Sequence, residues 1–179
     1  MVYSFDIFDT LIYRDVVEAK DIFILVQAAA YTECPSIPPQ LLGGFPEKRS
    51  EAEALALEAA RTEEVDLDQI YTALLRLKPE LSSPMLEQLK LLELKVEQKH
   101  CFPLHWEIAR VHDLLDRGER VVLLSDMYLP PGCITAILKK ASPRLAELPL
   151  YLSSQIGKTK RSGGLYEHVC RMENIPKNQ

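Results

Sequence analysis

The sequence of 179 residues has no excess of basic residues, since 21 Lys and Arg stand against 26 Asp and Glu, for a net charge of −5. Such a balance gives no electrostatic reason to bind nucleic acid or an anionic membrane surface, and we predict neither partner. The sequence also lacks an apolar run long enough to span a bilayer. We therefore expect a globular protein.

Cysteine is scarce and scattered, and no C-x-x-C pair occurs. The four cysteines are Cys34, Cys101, Cys133 and Cys170. This spacing suits neither a zinc site nor a disulfide framework, and it indicates reduced thiols in a cytoplasmic protein. The first residues do not have the pattern of a secretory signal, because Asp6 and Asp9 interrupt the apolar stretch.

The N-terminal stretch 2–11 is the most informative part of the sequence. It begins with apolar, strand-forming residues and then brings Asp6, Asp9 and Thr10 within five positions. The run predicts a short buried strand of a parallel sheet. Carboxylates at the carboxyl end of such a strand lie where open α/β sheets bind ligands, and an Asp beside Phe5 is costly to bury unless it is paired or binds a metal. The alternative is that Asp6 and Asp9 only cap the following turn.

Two further strands are predicted, over 120–124 and 148–152, and a basic cluster at 158–161 is a candidate anion site. Residues 15–118 show helical periodicity and no convincing strand. Helices are predicted over 18–31, 47–62, 67–77, 84–99, 104–117, 132–141 and 164–173. Strands separated by helical crossovers indicate an α/β fold with a parallel sheet.

Three polar features lie in the predicted helices. Asp66 and Gln69 have the spacing of a capping box. Arg49 and Glu53 are four residues apart, and an ordinary surface ion pair explains them at least as well as a substrate contact. Glu93 and Glu97 are like charges one turn apart, for which we favour a solvated helix face over a functional one.

Four segments of the sequence, residues 6–11, 121–129, 151–154 and 160–166, together resemble the haloacid dehalogenase superfamily. Residues 6–11, Asp-Ile-Phe-Asp-Thr-Leu, resemble its motif I, and residues 121–129 resemble motif II, a strand that ends in Ser or Thr. Residues 151–154 and 160–166 look like the third strand and the motif III lysine. The combination is similar to a bacterial subgroup of predicted hydrolases, some of which are attached to glycosyltransferases.

The resemblance implies a Rossmann-like parallel sheet with a large inserted all-helical cap. The core domain would comprise 1–14 and 119–179, and the cap 15–118. The three visible strands would have the order 1-2-3, an incomplete version of the family's sheet. That order leaves the strand at 2–8 on an edge, where unpaired backbone groups favour self-association.

The resemblance also implies roles for single residues. Asp6 would be the nucleophile that attacks phosphorus, or a carbon bearing a halide, and forms an aspartyl intermediate. Ser125 would hydrogen-bond the transferring group, and Lys160 would offset its charge, with Lys158 as the alternative if the register shifts by two. Mg²⁺ would be held by Asp6 and the backbone carbonyl of Phe8, which are hard oxygen ligands.

We assign substrate binding to Asp9, Thr10 and Asp126. One departure from the family concerns the acid/base position, where phosphatases have Asp and this chain has Phe8. Asp9 stands where most members have Gly; it would either substitute for the missing acid or cap the next turn, and we favour the cap. Ordinary phosphatase action is therefore in doubt, while hydrolysis in general is not.

The second departure is that nothing after Lys160 resembles the fourth motif, G-D-x-x-x-D, whose carboxylates complete the metal site. We expect either a fragment of a longer protein or a natural incomplete member, with Mg²⁺ weak or absent. The leading hypothesis is an aspartyl-nucleophile hydrolase of a phosphorylated or similar small substrate, weakly active or inactive in this chain. The alternatives are a non-catalytic module that supports a glycosyltransferase of the same parent chain, and a flavodoxin-like domain that holds phosphate over 158–164.

Overall fold

A computed structural model of the chain describes residues 1–175 and has an α/β fold. The strands are β1 (Val2–Asp6), β2 (Ile12–Arg14), β3 (Cys101–Pro103), β4 (Arg120–Ser125) and β5 (Leu150–Leu152). The longer helices are α1 (Ile22–Glu33), α3 (Phe45–Ala59), α4 (Leu67–Leu77), α5 (Ser83–His100), α6 (His105–Asp116), α7 (Pro131–Ala141) and α9 (Gly164–Met172), and the one-turn helices are α2 (Pro39–Leu42) and α8 (Ser153–Ile156). Short 3₁₀ turns cover Ala19–Asp21 and Leu145–Glu147. None of the helices within residues 1–175 combines the length and apolarity needed to cross a membrane.

The chain forms two compact units. The sheet unit comprises Met1–Arg14, Thr62–Glu64 and the described residues from Cys101 onward, and the helical unit comprises Asp15–Arg61 and Val65–His100. The expected boundary at residues 118/119 differs from this division, because residues 101–118 lie in the sheet unit. There β3 pairs with β2, and α6 packs against β4.

The sheet unit is built on a three-stranded parallel sheet of order β1-β4-β5. The predicted α/β class and the 1-2-3 strand order are thereby confirmed. The central strand β4 is buried on both faces over 121–124, which is typical of a covered parallel strand. Leu165 and Val169 of α9 pack against Val122 and Leu124. The carboxyl ends of all three strands therefore meet at one edge.

The prediction that residues 15–118 contain no strand is wrong at β3. This strand pairs antiparallel with β2, with Ile12 opposite Pro103, and the amide of Leu104 donates to the carbonyl of Leu11 at 2.8 Å. Three residues that end at a proline are too short to show the alternation by which a strand is recognised. Its partner strand, β2, also lies outside residues 15–118.

The helical unit contains helices and turns only, over residues 15–61 and 65–100. Its predicted capping box is present: Gln69 N–H donates to Asp66 Oδ1 at 2.8 Å, and Asp66 N–H donates to Gln69 Oε1 at 2.9 Å. These two bonds satisfy amide groups that a helix start leaves without partners. They fix the first residue of α4 at Leu67.

Two interpretations of charged residues in this unit are wrong. Arg49 does not form a surface ion pair, because its side chain is fully buried, and Glu93 and Glu97 are fully buried as well. Both glutamates lie on the same stripe of α5 as Leu89 and Val96, so they face the core together with these apolar residues. The burial of the two glutamates is therefore indicated by their place on the apolar stripe of α5, and not by the spacing between them.

Candidate functional site

Asp6 is the last residue of β1 and lies at the carboxyl edge of the sheet. Its Oδ1 accepts a hydrogen bond from the Ile7 amide at 2.8 Å. Its Oδ2 lies 2.8 Å from Nζ of Lys160, and the side chains of Asp6 and Lys160 are 40% and 21% exposed. The carboxylate is thus oriented by the backbone on one oxygen and ion-paired on the other, while still open to solvent.

Lys160 connects the carboxyl ends of β1 and β4. Its backbone N–H donates to both carboxylate oxygens of Asp126, at 2.9 and 3.1 Å, while its ammonium contacts Asp6. Asp126 directly follows β4, the strand next to β1. Three of the predicted site residues, Asp6, Asp126 and Lys160, are therefore brought together.

Lys158, the alternative to Lys160, lies elsewhere. Its Nζ is 3.0 Å from Oε1 of Glu63. The two lysines of the basic cluster are thus divided between two carboxylates, and Lys160 is the one beside Asp6.

Ser125 is the last residue of β4 and is 2% exposed. It pairs in register with Leu152 of β5, and it immediately precedes Asp126. Thr10 is half-buried in the turn that follows β1. In that turn the amides of Leu11 and Ile12 both donate to the carbonyl of Ile7, at 2.8 and 3.0 Å.

Asp9 is exposed and has a positive φ of 58°. Its amide donates to the carbonyl of Ile12 at 2.7 Å, which closes the turn. The left-handed region is costly for most residues but tolerated by Gly, Asn and Asp. The backbone therefore explains why a short residue stands at this position.

Phe8, to which the resemblance assigns the acid/base position, is 9% exposed. The guanidinium of Arg14 lies over its ring, 4.3 Å from the centroid, in a cation–π contact. The side chain of Phe8 has no proton to donate to a leaving group, and its ring is in contact with the cation of Arg14.

The implied Mg²⁺ finds a poor donor set here. The residues described by the structure include no group of three or more His, Cys, Asp or Glu side chains that could hold a metal ion. Asp6, the one carboxylate assigned to the metal, is already paired with Lys160. Oxygen ligands suit Mg²⁺ by type, but those among residues 1–175 do not form a set of the size that holds it.

Glu63 is a feature that sequence reasoning missed. Its carboxylate accepts hydrogen bonds from the Thr159 amide at 2.9 Å, the Thr159 hydroxyl at 3.2 Å and the Ser162 hydroxyl. These bonds, with that of Lys158, lower the pKa of Glu63 from 4.5 to about 2, Ser162 being the largest cause. The signal in the sequence was an acidic pair, 63–64, between two predicted helices, opposite in charge to the cluster at 158–161.

The adjacent Glu64 takes part in a second contact that was not predicted. The hydroxyl of Ser153 donates to Oε2 of Glu64 at 3.2 Å and accepts from the Met127 amide at 2.9 Å. Ser153 is fully buried and begins α8 directly after β5. It connects the loop after β4 with the segment 62–64.

A cavity of about 390 Å³ lies beside the loop between α8 and α9. It is lined by Glu63 and Lys158, by the start of α9 at Gly164, and by His168 and Arg171 further along that helix. Both signs of charge line it.

No protein-family model matches the chain, and no curated protein matches its sequence. The function is therefore argued from the geometry of Asp6, Asp126 and Lys160.

Proposed function

We propose that the chain is a hydrolase domain of the haloacid dehalogenase type, which acts on a phosphorylated or similar small substrate through a covalent intermediate on Asp6. The observation that carries the proposal is the ion pair between Asp6 and Lys160, held at the carboxyl edge of the sheet by the bond from the Lys160 amide to Asp126. A carboxylate nucleophile must be ionised, oriented and relieved of repulsion from an anionic substrate. The backbone bond from Ile7 and the ammonium of Lys160 meet these needs.

The chemistry divides into two displacements. A carboxylate oxygen of Asp6 forms a bond to phosphorus, and the bond from phosphorus to the leaving oxygen breaks; that oxygen keeps the electron pair and takes a proton from solvent water. A water molecule then attacks phosphorus and loses a proton to solvent, the bond from phosphorus to Asp6 breaks, and phosphate leaves with the carboxylate restored. Lys160 offsets negative charge on the carboxylate and on the phosphoryl group, and the hydroxyl of Ser125 is assigned to hold the latter.

In this proposal the helical unit is the inserted cap of the family. A cap acts by closing over a site and excluding water from it. Asp9, Thr10 and Asp126 are the groups that contact substrate. The four cysteines are free thiols, in keeping with a cytoplasmic protein, which we propose as its location.

The test is turnover of phosphomonoesters, acyl phosphates and haloacids by the wild type and by Asp6→Asn, with and without Mg²⁺. Asp6→Asn keeps the shape of the side chain and removes the nucleophile, so we expect it to lose all turnover while its circular dichroism is unchanged. The matched control is Asp116→Asn, which removes an exposed carboxylate of the same unit that pairs with Arg144. It should retain the wild-type rate.

The covalent intermediate gives a second readout. Wild type treated with acetyl phosphate and quenched in acid should carry a phosphoryl group on Asp6 that hydroxylamine removes. Turnover by Asp6→Asn at the wild-type rate would refute the proposal.

A second candidate function is supported by Phe8. The buried ring under Arg14 leaves the acid/base place without a proton donor, and the described residues offer no set of three metal ligands. These observations favour a module that binds the same class of ligand without turning it over, in the service of a glycosyltransferase in the same parent chain. Phosphate binding that depends on Lys160, without turnover in any assay, distinguishes this function from the first.

A further inference from the structure

The loop that carries Lys160 is held from two sides. On one side, Asp126 accepts the backbone N–H of Lys160. On the other side, Glu63 accepts the N–H of the preceding residue, Thr159, at 2.9 Å. Two successive amides thus point to two different carboxylates, which fixes the backbone at the base of the Lys160 side chain.

Glu63 also binds side chains on both flanks of Lys160. The ammonium of Lys158 lies 3.0 Å from Oε1, and the hydroxyl of Ser162 donates to Oε2. Without Glu63, the ammonium of Lys158 would lose the carboxylate with which it is paired and could approach other anions. The arrangement therefore leaves a single lysine of the cluster paired with Asp6.

The segment that carries Glu63 is itself anchored in the sheet unit. The amide of Glu63 donates to the carbonyl of Gly157 at 3.2 Å. Gly157 has a φ of 72°, and a Cβ at this position would lie 2.9 Å from Cγ2 of Thr62, so only glycine accommodates this approach without strain. Glu64 is held by Ser153, as described above. The position of Glu63 is thus fixed by its backbone, and its carboxylate in turn holds residues 158–162 in place.

We infer that Glu63 is a positioning residue, which directs Lys160 toward Asp6 and keeps Lys158 away from it. The inference deepens the proposed function, on which its catalytic consequence rests. Glu63 touches neither Asp6 nor the reacting atoms; it acts through the backbone and side chains of residues 158–162.

The experiment measures the acetylation rate of each lysine by mass spectrometry in folded wild type, Glu63→Gln and Glu167→Gln. The last variant removes another carboxylate that lines the same cavity. Lys139, which is exposed, serves as the internal reference, and Asp6→Asn gives the rate of a Lys160 that has lost its partner. We expect the rates of both Lys158 and Lys160 to rise several-fold in Glu63→Gln, that of Lys160 approaching its value in Asp6→Asn, and neither to change in Glu167→Gln.

An increase confined to Lys158 would overturn the inference, because it would show that Glu63 has only a local ion pair. If Glu63→Gln does not fold, Ser162→Ala removes one donor to Glu63 and should raise the Lys160 rate by a smaller factor; no increase there would equally overturn it. The lysine rates decide the inference whether or not the wild type turns over a substrate. Given turnover, Glu63→Gln should lower kcat more than it raises KM, and Glu63→Asp should restore part of kcat.

Discussion

Arg49 and Glu93 form a two-point ion pair in which neither side chain is exposed to solvent. Nε and Nη2 of Arg49 donate to the two oxygens of Glu93 at 2.9 and 2.8 Å, and the hydroxyl of Tyr71 donates to Oε2 at 2.8 Å. The guanidinium also lies 4.5 Å from the ring centroid of Phe23. The pair therefore joins α3 to α5, with contacts from α4 and α1.

We predict that Arg49→Met lowers the free energy of unfolding by about 3–5 kcal/mol, because it leaves the carboxylate of Glu93 buried without its cation. Denaturant unfolding measures the loss. The matched control is Lys48→Met on the same helix, whose partner Glu51 is exposed. An exposed pair of this kind contributes about 0–1 kcal/mol.

The double variant Arg49→Met/Glu93→Leu separates the charge effect from lost packing. It leaves no half of the pair buried alone, so it should recover part of the stability that Arg49→Met loses. If Arg49→Met lowers the free energy of unfolding no more than Lys48→Met does, the buried pair does not stabilise the fold as predicted.

Local patterns predicted the long elements of the fold well. The capping box at Asp66 and Gln69 and the apolar stripe of α5 depend on neighbours within one or two turns, which a sequence displays directly. The pairing of β3 with β2 and the burial of Arg49 depend on partners far along the chain. Such partners follow from topology, which the local pattern does not contain.

The candidate site shows the same division. Asp6, Asp126 and Lys160 were predicted because they lie in segments that resemble the motifs of one superfamily, and the parallel sheet brings the ends of its strands together. Glu63 was missed because it lies 95 residues before Lys158, in a segment without a motif of its own. Only the folded chain shows that its carboxylate meets the basic loop.

The low pKa of Glu63 predicts a defined pH dependence of stability. Its pKa is about 2 in the folded protein against an ordinary value of 4.5, so the folded state binds the proton more weakly than the unfolded state. The stabilisation is fully present above pH 4.5 and is lost as the pH falls through that value toward 2. The difference in unfolding free energy between wild type and Glu63→Gln should therefore shrink over this range.

Glu63→Asp is the control, since it keeps a carboxylate at the loop. Its stability relative to Glu63→Gln should also fall as the pH is lowered from 4.5 toward 2. Urea unfolding at a series of pH values measures the difference. A constant difference between wild type and Glu63→Gln from neutral pH to pH 2 would mean that the four donors do not favour the charged form of Glu63.

The contact between Phe8 and Arg14 predicts how an acid/base group could be introduced. Restoring a general acid by Phe8→Asp should raise the hydrolysis of phosphomonoesters, for which general acid catalysis contributes about 10²–10⁴-fold. The guanidinium of Arg14 would lie close to the new carboxyl group and lower its pKa by about 1–3 pH units, which keeps it ionised and unable to donate. We therefore expect a larger gain in kcat from Phe8→Asp/Arg14→Met than from Phe8→Asp.

Arg14→Met alone is the control for changes in the β2 backbone, and Phe8→Asn controls for removal of the ring. Neither Arg14→Met nor Phe8→Asn should raise kcat above the wild-type value. Equal rates for the single and the double variant, with folding verified, would show that Arg14 does not set the protonation of a group at position 8.

The last prediction concerns β1, which pairs with β4 on one side and with no other strand of residues 1–175. An edge strand presents unpaired N–H and C=O groups to which the same strand of a second copy can pair. Val2, Tyr3 and Phe5 of β1 are only half-buried, so apolar surface accompanies these groups. We expect the 179-residue chain to self-associate through this edge, with a sedimentation coefficient that rises with concentration.

Ser4→Lys places a charge on the exposed position of the strand and should shift association to higher concentration, because edge lysines oppose strand addition. Ser82→Lys makes the same substitution at an exposed position of the helical unit and should leave association unchanged. A chain that sediments as a monomer at every concentration, or one whose association is the same in Ser4→Lys, would show that this edge is not the contact.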